Sequence, residues 1–149
     1  MSSTRAVTFE RLHSWTEHTN AGIRFYSGAA SYWKSFDAPA SVLAQRPSAL
    51  WLDLGSVREL AEVRLNGKSL GVLWAPPWRV EITDAVKPGT NTLAIEVVNF
   101  WPNRIIGDQF LPPEKRFTRT NIRKLTKDTP LMPSGLLGPV RVLVAEVAR

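Results

Sequence analysis

Hydrophobic and polar positions alternate with a period of two along most of the chain, and no long stretch carries the 3.6-residue period of an amphipathic helix. From Ala30 onward, Ala30, Tyr32 and Phe36 fall on one face and Ser31, Trp33 and Ser35 on the other, which predicts a strand. Leu50, Leu52 and Leu54 alternate with Trp51 and Asp53, and Ala61, Val63 and Leu65 alternate with Glu62 and Arg64. That is the pattern of half-buried antiparallel strands. Asn66-Gly67 tolerates the positive φ of a two-residue turn, so 58–65 and 68–74 are expected to form a hairpin. Two further inward rows follow, Trp78, Val80 and Ile82, then Leu93, Ile95 and Val97, separated by a turn at Pro88-Gly89. Val140, Val142 and Val144 share one face of a closing strand. The helical pieces are short: roughly 41–45, and a turn after Trp101-Pro102. Short strands punctuated by turns every ~8–12 residues predict an all-β fold, an antiparallel β-sandwich or jelly roll. Residues 100–138 are too long for an ordinary connection, and irregular segments of that size are functional or wrap a neighbour. With no repeat and no linker, residues 1–149 read as a single domain.

The 149 residues, 44% hydrophobic and 21% charged, are enough for a real core and exclude a disordered or collagen-like chain. No apolar run approaches the ~20 residues of a membrane span, and MSSTRAVTFE lacks the apolar centre of a signal peptide. The expectation is a soluble chain with no membrane partner and no address, its compartment open. The absence of cysteine removes thiol nucleophiles, disulfides and Cys-ligated zinc, and leaves the compartment undecided. The net charge of +6 suggests nucleic acid until it is located. Lys115, Arg116, Arg119, Arg123, Lys124 and Lys127 lie in one segment without an acidic residue, and the other 13 basic residues balance all 13 acidic ones.

In order, GIRFYSGAASYWKSF (22–36), residues 50–99, FWPNRIIGDQ (100–109) and LMPSGLLGPVRVL (131–143) resemble the galactose-binding-like jelly-roll domain of glycoside hydrolase family 2. The resemblance is closer to the C-terminal β-sandwich of glycoside hydrolase family 106, the α-L-rhamnosidases. The hairpin, the PPWR step and the ITDAVKPGTN turn carry the fold, while NFWPNRIIGD and PSGLLGPVR favour family 106. The resemblance implies a carbohydrate-binding or accessory domain whose partners are an oligo- or polysaccharide and a catalytic barrel. A barrel needs ~250 residues, so no catalytic residue carries over, and the chain is expected not to be an enzyme.

The residues themselves agree with this. Glycoside hydrolysis needs two carboxyls ~5–10 Å apart across a sugar, whereas Asp53, Glu62, Glu81 and Glu96 alternate outward on strands and Asp84 belongs to a turn. Sugar binding asks for aromatic faces with planar hydrogen-bonding groups beside them. Tyr26, Trp74, Trp101, Asn103, Arg104 and Asp108 supply both near strand ends, with the alternative that Arg104 and Asp108 only tie down their own loop. Trp78 shares the inward parity of a core residue. Trp33 and Trp51 point outward on strands that could be neighbours, as a stacking platform or as the footprint of another domain. His13 and His18, with Glu17, lack a third ligand. No metal site or other cofactor is expected, and a structural Ca2+, common in galactose-binding-like modules, finds no Asp-rich run here. Two alternatives remain: a domain that only braces its parent enzyme, and a polyanion-binding module working through 115–127. Nucleic acid is not expected, since no recognised motif accompanies the basic segment.

Overall fold

The computed structural model describes residues 6–45 and 49–145. The described strands are β1 (Ala29–Ala38), β2 (Ala49–Asp53), β3 (Val57–Arg58), β4 (Leu60–Leu65), β5 (Lys68–Leu73), β6 (Arg79–Glu81), β7 (Gly89–Val98), β8 (Gly135–Leu136) and β9 (Arg141–Ala145). Three short helices, α1 (Ala21–Arg24), α2 (Ala40–Ala44) and α3 (Pro102–Asp108), join them. The strands pair antiparallel in a four-stranded sheet, β1-β7-β4-β5, a three-stranded sheet, β6-β2-β9, and a two-stranded ribbon, β3-β8.

The apolar rows of the two larger sheets meet in one core. Leu50 and Leu52 from β2 pack with Ala61, Val63 and Leu65 from β4, Leu93, Ile95 and Val97 from β7, and Trp78 and Ile82. Burying each large aliphatic side chain contributes ~1.5–3 kcal/mol, so the period-two pattern is also the main source of stability. The all-β antiparallel expectation holds, with α2 and α3 where helical turns were expected. The hairpin holds as well: Leu65 pairs with Lys68, and Asn66 (φ 53°) and Gly67 (φ 82°) form the left-handed turn between them. A shift of register at Val63/Arg64 leaves Leu70 as an extra residue on β5, a bulge that increases local twist.

Polar residues weld this hairpin to the Pro88-Gly89 turn. Asn91 is fully buried, its Nδ2 donating to the Lys87 and Gly89 carbonyls at 2.8 Å each. Its Oδ1 accepts from the Lys87 amide at 2.9 Å and from Asn66 Nδ2 at 2.8 Å. Asn66 Oδ1 in turn accepts from the Thr92 amide at 3.0 Å.

In the closing strand β9, Val142 and Val144 lie opposite Leu52 and Leu50, on one face as expected. They are nonetheless 44% and 49% exposed, because β9 is an edge strand. The single turn α1 and the 3-10 turn Trp15–Glu17 were not anticipated, since one turn has no period. They are recognisable by their caps, Asn20 accepting from the Gly22 amide and Ser14 from that of Thr16.

Candidate functional site

The long segment after β7 begins with α3. Pro102 occupies the first helical turn, where its missing N–H costs nothing. Ile105 and Ile106 are buried, and Gly107 sits so close to the Phe25 ring and the Arg104 guanidinium that a Cβ would displace them. Asn103, 1% exposed, donates from Nδ2 to the Met132 carbonyl at 2.7 Å and Ser134 Oγ at 2.9 Å, and accepts at Oδ1 from the Met132 amide at 2.8 Å. Asn99, just after β7, plays a similar part, donating to the Tyr26 carbonyl and Ser134 Oγ and accepting from the Gly28 amide. Ser134 is therefore the meeting point of the loop before β1, the end of β7 and the segment before β8, and its own amide donates to Ser14 Oγ at 3.0 Å. NFWPNRIIGD and PSGLLGPVR, the stretches that favour family 106, are packed against each other through these bonds.

Arg104 and Asp108 close the other end of the helix. Arg104 Nε lies 3.2 Å from Asp108 Oδ1, paired by charge without hydrogen-bond geometry. The guanidinium carbon stands 4.8 Å from the Phe117 ring centroid and 6.0 Å from that of Phe25, a cation–π contact on each side. Asp108, 1% exposed, accepts at Oδ2 from the Thr118 amide at 2.8 Å and from the Thr118 hydroxyl. Burial works to raise its carboxyl. The two Thr118 bonds, a main-chain bond from Phe117 and the Arg104 charge outweigh that, and hold it below the usual carboxylate range. Asn103, Arg104 and Asp108 thus form the framework that holds the helix and the loop after it.

The aromatic residues stand in the open around that framework. Leu73, Ala61 and Val97 share one cross-strand row, so Trp74 leaves β5 level with Val98, and Trp101 follows three residues after Val98. Strand spacing puts the ends of β5 and β7, two strands apart, roughly 10 Å from each other. Trp74 is 79% exposed, Trp101 53% and Phe100 53%. Tyr26 lies at the same end, ahead of β1, its ring edge-on to Trp15 and its hydroxyl donating to the Ala29 carbonyl at 2.7 Å. Sequence reasoning overlooked Asn99, Ser134 and Ser14, whose importance lies in partners far along the chain.

Trp33 and Trp51 do not share a platform. β1 pairs only with β7, while β2 pairs with β6 and β9, so the two outward-facing rings belong to different sheets on opposite sides of the sandwich. Trp33 is 71% exposed; Trp51 is half-buried. Trp78 is a core residue. Glu62 and Glu96 face each other across β4 and β7 on an open sheet face, with Arg64 2.6 Å from Glu62. Asp53 is held below its usual range by the Gly55 amide and by Arg79, 2.9 Å away, against the effect of desolvation. His13 and His18 pack tilted against Phe9, at centroid distances of 4.9 and 5.7 Å. Among the described residues no three His, Cys, Asp or Glu side chains gather where they could hold a metal ion.

A two-sheet antiparallel sandwich with its irregular segment and exposed aromatics gathered at one end has the architecture of a galactose-binding-like domain. Residues 16–127 match the family described as glycosyl hydrolase 2 galactose-binding domain-like, and the chain belongs to it. Over 90% of its length it is similar to the rhamnosidase of Novosphingobium sp. PP1Y, with 39% identity and a TM-score of 0.80. It is 40% identical over 161 residues to a candidate β-glucuronidase of Formosa agariphila, covering 93% of the chain. The β-glucuronidase of Lactobacillus rhamnosus superposes on 58% of the chain with 27% identity and a TM-score of 0.52. The chain spans only 12%, 14% and 15% of these proteins, respectively.

Proposed function

We propose that the chain is a non-catalytic, carbohydrate-binding accessory domain of a glycoside hydrolase of rhamnosidase type, which holds an oligosaccharide at the strand-end aromatics. The observation that carries this is the exposure of Trp74 and Trp101 at one end of the four-stranded sheet, above a helix whose buried Asn103 and Asp108 are hydrogen-bonded to Met132, Ser134 and Thr118. Rigid aromatic faces over an immobile base are what stacking on the apolar face of a pyranose requires. In this reading Trp74 and Trp101 stack, Tyr26 flanks them, Arg104 presents the little of its guanidinium that reaches solvent, and Asn103 and Asp108 position the helix. The relatives named as a rhamnosidase and as β-glucuronidases support a carbohydrate-processing parent, with its catalytic barrel as the second partner.

The competing reading is that the same aromatics brace the parent enzyme and bind no sugar. An immobilised glycan screen of the 149-residue protein, repeated with Trp74→Ala and Trp101→Ala, separates the two. Retention on a defined glycan that each substitution weakens about tenfold or more is expected. Absence of retention on every neutral glycan would refute the sugar-binding half of the proposal.

A further inference from the structure

Three of the six residues that carry the charge excess of the chain, Arg116, Arg119 and Arg123, line a groove. Between α3 and the strands that follow, the loop carrying the basic segment encloses about 510 Å3, lined by Arg116, Arg119 and Arg123 together with threonine hydroxyls and the apolar side chains of Ile122 and Leu125. That volume lies in the range of small-ligand sites. The loop is pinned at one end by Thr118 on Asp108, and at the other it turns on itself, the Thr126 amide donating to Thr129 Oγ1 at 2.9 Å. Arg116 is oriented by its Nε, which donates to the Leu111 carbonyl at 3.3 Å. Arg119 and Arg123 have no ion-pair partner among the described residues. The acidic group nearest the floor, Asp108, is already taken up by Arg104 and Thr118.

From this we infer that the groove binds a uronate-bearing oligosaccharide, with the sugar carboxylate held by Arg119 and Arg123. Guanidinium groups match a carboxylate in planar, bidentate geometry, and mutually repelling cations without counter-charges are relieved by such a ligand. The neutral half of the lining decides between an acidic sugar and other anions. The Thr120 hydroxyl accepts from the Ile122 amide at 3.1 Å and keeps its own proton for a sugar hydroxyl, and Ile122 and Leu125 offer an apolar wall to the ring. Single-stranded nucleic acid would need a row of free aromatic faces for successive bases, whereas this segment carries one aromatic, Phe117, which is exposed beside Arg104 and does not line the groove. The inference rests on the carbohydrate reading in its general form but not on the strand-end aromatics, and the two can fail separately.

The test is calorimetric titration of the 149-residue protein with trigalacturonate and with its fully methyl-esterified form, which has the same skeleton without charge. The acid is expected to bind at least tenfold more tightly than the ester and to weaken as salt is raised from low to moderate concentration. Arg119→Gln combined with Arg123→Gln is expected to remove that preference while leaving thermal stability and any neutral-glycan retention through Trp74 and Trp101 unchanged. Equal binding of acid and ester, or no binding of the acid at millimolar concentration, overturns the inference. So does a single-stranded oligonucleotide of equal charge that binds as tightly as the uronate, which would make the groove a general anion surface. Loss of neutral-glycan retention in Trp74→Ala with uronate binding intact leaves this inference standing, and the converse result leaves only the strand-end site.

Discussion

Replacing Asp108 by Ala isolates the joint on which the long loop depends. The carboxylate is 1% exposed and holds Thr118 by two hydrogen bonds and Arg104 by charge across 3.2 Å. Hydrogen bonds to a charged group contribute ~1.5–3 kcal/mol each, and removing one partner of a buried pair costs ~3–5 kcal/mol. These figures overlap, since both count the same stranded groups, and the Arg104 side chain retains 19% exposure through which water can solvate it. The net loss should therefore be about 3 kcal/mol. With a urea m-value of about 2 kcal/mol/M, this lowers the denaturation midpoint by about 1.5 M, readable by tryptophan fluorescence. The pair Asp108→Ala and Thr118→Val should couple by about 1–2 kcal/mol in a double-mutant cycle. The pH dependence follows from the depressed carboxyl. Its stabilisation is fully present above the unfolded-state value of ~3.9 and disappears as pH falls below that value through the folded one. Asp108→Asn should accordingly flatten the acid limb of the stability curve. A loss below 1 kcal/mol with no coupling would show that the loop is held by something other than this joint.

Two further outcomes test the buried polar framework. Asn91→Ala strands two carbonyls, an amide and Asn66 Nδ2, and at ~0.5–1.5 kcal/mol for each bond equilibrium unfolding should register a loss of about 3 kcal/mol; a neutral effect would mean that water replaces the side chain. Tyr32→Phe removes the oxygen that accepts from Trp15 Nε1 and from the Leu136 amide, so about 2 kcal/mol should be lost in the same assay, and an unchanged midpoint would show that neither donor needs it.

The strands were legible because their information is local. A row such as Leu93, Ile95 and Val97 declares its inner face whatever it packs against. Asn91 shares that parity and reads as a turn residue, since its four bonds go to a turn and a hairpin that only the fold brings together. The strand-end site was half legible. The sequence marks Trp74 and Trp101 as aromatics at strand ends, and their exposure agrees, yet Asn103 and Asp108 were grouped with them as ligand contacts by residue type alone. Whether an amide or carboxylate faces a ligand or the protein depends on partners such as Met132 and Thr118, 29 and 10 residues away. Trp33 and Trp51 show the same division: parity assigned each to an outer face, but adjacency of their strands is a property of topology.

The helix α3 couples the two surfaces for which ligands are proposed. Its first turn follows Trp101 and is fixed by Asn103 to residues 132–134; its last turn ends in Asp108, which fixes Thr118 at the floor of the basic groove. Arg104 lies between them, clamped by Phe25 and Phe117. Substitutions on the buried face of this helix should therefore disturb both surfaces together, whereas Trp74, Arg119 and Arg123 protrude from the framework and can each be changed alone. Through Thr118 the groove is joined to α3, and through Asn103 α3 is joined to the segment leading into β8. That segment reaches the core through Leu136, so the loop is a continuation of the sandwich rather than an appendage to it, and its charge is held at a defined place on the surface.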